Sequence, residues 1–236
     1  MSQKALLALC IALLLPVVSY LLVKNLSYDA IKMPPRFFAE SINEKIVQGK
    51  KVSDTIWHRV ANITLTNQLG KTVSLDSLNG KIIVADFFFT HCGLICPKLT
   101  ASMKGLQDAL KIRDLRRRID ISFVHFVSFS IDPERDSVSV LKAYADKYGI
   151  NHDSWWLLTG SKKEIYNFSV NELKLALQDT TISADFMHTN RFVLLDRDRV
   201  VRGYYNGLDS NSMSTLAEDL TLLMLEKDKR RKRKLF

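Results

Sequence analysis

Proline is scarce in this chain, five in 236 residues, and none follows Pro133. Cysteine is scarcer still, with three. Cys10 lies inside an apolar run, which leaves Cys92 and Cys96 as one isolated pair. A single pair excludes the disulfide framework of a small secreted fold. Acidic residues are also in short supply, 25 against 34 Lys and Arg, for a net charge of +9. That excess does not indicate a nucleic-acid binder. Between Lys227 and Lys234 stand seven basic residues and one acid, +6 of the +9, with no aromatic side chain among them. The tail reads as a solvated charge run, with an anionic surface or acidic partner as its alternative use. No internal repeat is visible, and an apolar content of 47% excludes general disorder.

What is present begins with Ala5 to Val23, apolar except for Cys10, Pro16 and Ser19. At 1.5 Å per helical residue such a run matches a bilayer core of about 30 Å. Cleaved signals have shorter apolar cores, of about 7–15 residues, followed by small residues. Ser-Tyr-Leu-Leu-Val-Lys offers no such site. Residues 1–24 are therefore expected to be a signal anchor, a cleaved signal being the alternative. Lys4 and Lys24 set the orientation weakly, and an Arg-rich leader is absent, which favours a bacterial cell membrane crossed once, with the domain on the periplasmic side. Residues 25–49 read as a tether, 50–226 as the domain and 227–236 as a basic tail.

Within the domain, Ala61–Thr66 and Lys71–Leu75 alternate around Asn67–Gly70, a β-hairpin. Ile82–Phe89 is continuously apolar, as a central strand covered on both faces must be. Leu99, Met103, Leu106 and Leu110 then recur at helical spacing. Ile119–Ile131 is a strand, Ser137–Tyr148 a helix and Trp155–Leu158 a short strand. Ser161-Lys-Lys-Glu164 is a capping box opening another helix. Arg191–Leu195 and Val200–Tyr205 form a second hairpin, and Ser212–Leu225 a closing helix. The order β-β-β-α-β-α-β-α-β-β-α implies an α/β, thioredoxin-like fold: a central mixed sheet flanked by helices, with an N-terminal β-hairpin and a membrane anchor.

Cys92 and Cys96 fall where the buried strand gives way to a helix, at the carboxyl edge of the sheet. Pro97 suits a first helical position, so the helix is expected to start there with Cys96 at its cap. Both sulfurs then face the positive end of a helix dipole, which favours thiolate. A thiolate is both nucleophile and soft metal ligand, so redox chemistry and metal binding both stay open. The Cys-x-x-x-Cys spacing is one residue longer than the Cys-x-x-Cys of thioredoxin-like oxidoreductases. Thioredoxins also set a cis-proline before a later strand, where this chain has Met187-His188-Thr189. Two thiolates and one imidazole make a soft set suited to copper, as Cu(I) or Cu(II).

From Asp54 to Leu225 the chain resembles the Sco/SenC family of membrane-anchored copper chaperones. The resemblance rests on Gly80-Lys81, Phe88-Phe-Thr-His-Cys-Gly-Leu-Ile-Cys-Pro97, Ser130-Ile-Asp-Pro-Glu-Arg-Asp136, Tyr144-Ala, Trp156-Leu-Leu-Thr-Gly160, His188 and Gly203-Tyr-Tyr-Asn-Gly207. It implies that Cys92, Cys96 and His188 bind copper. It also implies delivery of that copper to the copper-bearing subunit of a cytochrome c oxidase, or reduction of that subunit's cysteines. An upstream copper donor or thiol reductant would serve the site. Gly93 departs from the family, where proline is frequent.

The rival reading is a membrane-tethered thiol–disulfide oxidoreductase, with Cys92 attacking and Cys96 resolving. His91 adjoins Cys92 but is expected to point elsewhere. His58, His125 and His152 read as structural or surface residues, Met103 as core, and Asp132 as a turn cap through Pro133 and Arg135.

Overall fold

Seven successive buried residues, Ile82–Phe88, form the strand on which the molecule is organised. A computed structural model describes residues 3–28, 32–47, 50–115, 121–175 and 189–226. In chain order the elements are α1 (Gln3–Tyr28), β1 (Ala39–Val47), β2 (Lys50–Trp57), β3 (Thr64–Asn67), β4 (Thr72–Ser74), β5 (Ile82–Phe88), α2 (Ile95–Leu115), β6 (Val124–Ser130), α3 (Val138–Lys147), β7 (Trp155–Thr159), α4 (Lys162–Asn167), β8 (Arg191–Leu195), β9 (Val201–Asn206) and α5 (Ser210–Leu225). A π-helical turn, Phe168–Glu172, continues α4.

Residues 1–33 and 34–236 are two separate units. In the first, α1 runs on through Pro16. Among the described residues no helix is long and apolar enough to cross a membrane. Within α1 the side chains of residues 5–11 and 24–28 lie outside that description.

The second unit is built on a seven-stranded sheet ordered β4-β3-β7-β6-β5-β8-β9. β5 pairs parallel with β6, and β6 with β7, while β8, β9, β3 and β4 join antiparallel. This is the mixed sheet expected. Side chains alternate across it. Ile82, Val84 and Phe88 face a layer with Leu99, Met103, Leu141, Tyr144, Leu216 and Leu220 from α2, α3 and α5. Ile83, Ala85 and Phe87 face the other layer, with Leu75, Leu78, Ile165 and Phe168.

Two local expectations need correction. Residues 25–49 are not merely a tether, because Ala39–Val47 pairs with Lys50–Trp57 in a separate two-stranded sheet. The preceding segment is strapped to the domain. Arg202, 3% exposed, donates to the Pro34 and Pro35 carbonyls and to Asp196 and Glu226. Finally, α2 begins at Ile95 rather than Pro97. The first four amides of a helix have no helical acceptor, so proline fits anywhere in that turn.

Candidate functional site

At the carboxyl end of β5 the chain turns sharply, the Cys92 amide donating to the Phe89 carbonyl at 3.3 Å. Three residues later α2 begins, and the Cys96 amide donates to Cys92 Sγ at 3.3 Å. The two thiols are thus gathered by one turn and the first turn of a helix. Both are free and buried, at 9% and 4% exposure, whereas Leu94 between them is 78% exposed. A Cβ built on Gly93 would meet nothing within 4 Å among the described residues.

The thiols differ in acidity. Burial pushes the Cys92 thiol up, but the amide and thiol of Cys96 and the amides of Leu94 and Ile95 outweigh it, leaving Cys92 below its ordinary value. Cys96 is pushed up to about 12, chiefly by burial, with the Cys92 sulfur and the Asp86 carboxyl adding to a rise that a backbone contact to Phe89 opposes. Asp86 lies on β5 opposite Ser128 of β6. It is 2% exposed, its Oδ1 has no partner among the described residues, and burial raises it to about 7 against a hydrogen bond from Ser128.

The chain that enters the turn is held from the loop that follows β6. The Asp136 side chain is fully buried. It accepts from the Thr90 hydroxyl at 2.5 Å, from the Thr90 amide at 3.3 Å to each oxygen, and from the Ser130 hydroxyl at 2.5 Å. Since the Thr90 hydroxyl hydrogen is directed at Asp136, His91 Nδ1 must donate in its 3.1 Å contact with Thr90 Oγ1.

A model of the SCO1/SenC family matches residues 58–224. The chain belongs to that family. The Bacillus subtilis (strain 168) SCO1 protein homolog is 36% identical over 173 residues, covering 73% of this chain and 86% of the relative. The solved structure of BsSco, a member of the Sco family of cytochrome c oxidase assembly proteins with a disulfide switch, aligns at a TM-score of 0.60 and 36% identity, over 74% of this chain and 98% of that one. Bradyrhizobium japonicum ScoI, solved with copper bound, aligns at 0.52 and 25%, over 69% and 98%.

Of the ligand set expected for an SCO1/SenC member, Cys92 and Cys96 are brought together and His188 lies outside the described residues. The residues that follow it return to the same edge of the sheet. The Gly207 amide donates to the Asn190 carbonyl at 2.8 Å. A Cβ on Gly207 would stand 2.5 Å from Leu99 in the first turns of α2 and 2.8 Å from Phe192, so any larger residue would force these two buried side chains to shift. Among the described residues no three His, Cys, Asp or Glu side chains converge to hold a metal. Two soft sulfurs are donors of the kind that suits copper.

The other side chains weighed from the sequence fall into place. His58 sits 2.8 Å from Glu40 and 3.4 Å from Glu172. His152 contacts Gln68, and His125 and Met103 are buried. Asp132 pairs with Arg135 at 3.3 Å, a turn role as expected. Asp136 was not singled out from the sequence. Its one signal was a place in the Ser130–Asp136 word, where two aspartates compete for notice.

Proposed function

We propose that the protein is a copper-carrying assembly factor. It binds one copper ion as cargo through Cys92, Cys96 and His188 and passes it to the copper-bearing subunit of a cytochrome c oxidase. The observation that carries the reading is the pair of free thiols on one turn, with the Cys92 sulfur against the Cys96 amide. A soft ion held by few ligands at an exposed rim is open to attack by a recipient's ligands, and the exposed Leu94 marks that rim. Support comes from family membership and from the copper bound by the Bradyrhizobium relative. In this reading α1 is the membrane anchor, and the domain works on the periplasmic side of a bacterial cell membrane. The deciding measurement is copper per chain on the reduced protein, parent against Cys92→Ala, Cys96→Ala and His188→Ala. One copper in the parent and loss in each variant is expected; full retention in the His188 variant would remove that residue from the site.

The acidity difference between the thiols favours a second reading, thiol–disulfide exchange on a partner's cysteines, with Cys92 as nucleophile. His188→Ala separates the two, since it should abolish copper handling and spare reductase activity.

A further inference from the structure

We propose that Asp136 is the positioning residue of the cysteine turn, the group through which the end of β6 sets Cys92 against the start of α2. The inference rests on the reading that Cys92 and Cys96 are the working residues. Thr90 is the second residue of the turn closed by the Cys92 amide and the Phe89 carbonyl. Both of its hydrogen-bonding hydrogens, amide and hydroxyl, go to one carboxylate. That carboxylate is fixed in turn by the Ser130 hydroxyl and by its own amide, which donates to the Asp132 carbonyl at 2.9 Å. The adjoining strand ends are joined by the Ile131 amide and the Phe88 carbonyl, also 2.9 Å apart. Asp136 therefore bridges the carboxyl ends of two parallel strands, and the turn bearing Cys92 hangs from the bridge. Hydrogen bonds to an ionised acceptor are about twice as strong as neutral ones, and burial shields these from water. Cys92 Sγ touches the Cys96 amide only while the turn holds its shape. Asp136 acts on the sulfurs through Thr90 and need touch neither.

The test uses the full chain in detergent, as parent, Asp136→Asn, Thr90→Val and Thr90→Ser. The first readout is the equilibrium between the Cys92–Cys96 disulfide and glutathione. Two glutathione thiols become one glutathione disulfide as the Cys92–Cys96 bond takes up two electrons and two protons. The second is the thiolate-to-copper absorption of the reduced protein loaded with Cu(II), and the third is thermal stability. Loss of a charge-assisted hydrogen bond should move the exchange constant about tenfold in Asp136→Asn and Thr90→Val and shift the absorption bands. Thr90→Ser, which keeps the hydroxyl, should recover the parent constant within about twofold. If Asp136→Asn does not fold, Thr90→Val decides. The proposal is overturned if both variants lower only the melting temperature and keep the parent constant and spectrum, or if Thr90→Ser departs as far as Thr90→Val. A parent that binds no copper defeats the copper reading alone, because the glutathione equilibrium still tests Asp136.

Discussion

His125 and Asp86 lie three positions apart in register on the paired strands β6 and β5, and burial shifts each toward its neutral form. Among the described residues both ring nitrogens of His125 lack a hydrogen-bond partner, and its ring meets that of Trp156 edge to face with centroids 4.4 Å apart. Burial, with Lys81 adding, lowers His125 from 6.5 to about 3. The unfolded chain takes up a proton below pH 6.5 that the folded one refuses, so this group's contribution to stability is lost as pH falls from there toward 3. Asp86 has the opposite sign. Raised from 3.8 to about 7, it contributes stability that is full below 3.8 and lost as pH rises toward 7. Between pH 4 and 6.5 the two slopes, each at most about 1.4 kcal/mol per pH unit, oppose one another. Denaturant titrations across that range should give His125→Leu a stability that falls with rising pH relative to the parent. Asp86→Asn should fall with decreasing pH. Parallel curves for parent and variants would refute the assignment.

At the scale of elements, the segment before β1 is held by one buried guanidinium, with Arg36 adding weaker ion pairs to Asp196 at 3.9 Å and Glu226 at 4.0 Å. Arg202 on β9 satisfies the Pro34 and Pro35 carbonyls while balancing Asp196 and Glu226. Phe37 lies beside it, its amide donating to the Val201 carbonyl and its ring meeting Tyr204 at 5.8 Å. Removing one partner of a buried ion pair leaves the other uncompensated, at a cost of about 3–5 kcal/mol. Arg202→Ala should lose about that much by chemical denaturation. Limited proteolysis should also cut the variant within residues 34–38 well before the parent. Equal cutting would mean that the strap is held by something other than Arg202. Neither β1 nor this strap was legible beforehand. Glu40, Glu44 and Lys45 break the apolar alternation of β1 in the sequence, and Ile42 is 64% exposed, so residues 39–44 carry no core face to announce the strand. The start of α2 was misplaced because proline is tolerated throughout a first turn. By contrast Ile82–Phe88, Arg191–Leu195 and the Ser161 cap were readable, since burial on both faces and an amide-capping hydroxyl leave direct marks in residue type.

For the whole molecule, metal loading and the state of the thiols must be linked if Cys92 and Cys96 hold the cargo. A ligand that binds only the folded, reduced form stabilises it by about 2.7 kcal/mol at a hundredfold excess over its dissociation constant. Copper added to the reduced protein should raise the melting temperature in calorimetry, and copper added to the disulfide form should not. Equal shifts in both forms would place the metal away from the thiols. The thiol half of the site was legible in the sequence, as a close pair after a buried strand. The brace was not, because nothing in the order of residues says which aspartate of Ser130–Asp136 folds inward.

Gly207 ties the cysteines to the far end of the chain. Its bare α-carbon is the seat on which Leu99 and Phe192 rest, so one added methyl would act as a wedge under the helix that carries Cys96. Gly93, beside the same sulfurs, meets no such neighbour among the described residues. Tolerance to substitution here follows steric room and not nearness to the thiols, and the residue that looks most remote is the less free of the two.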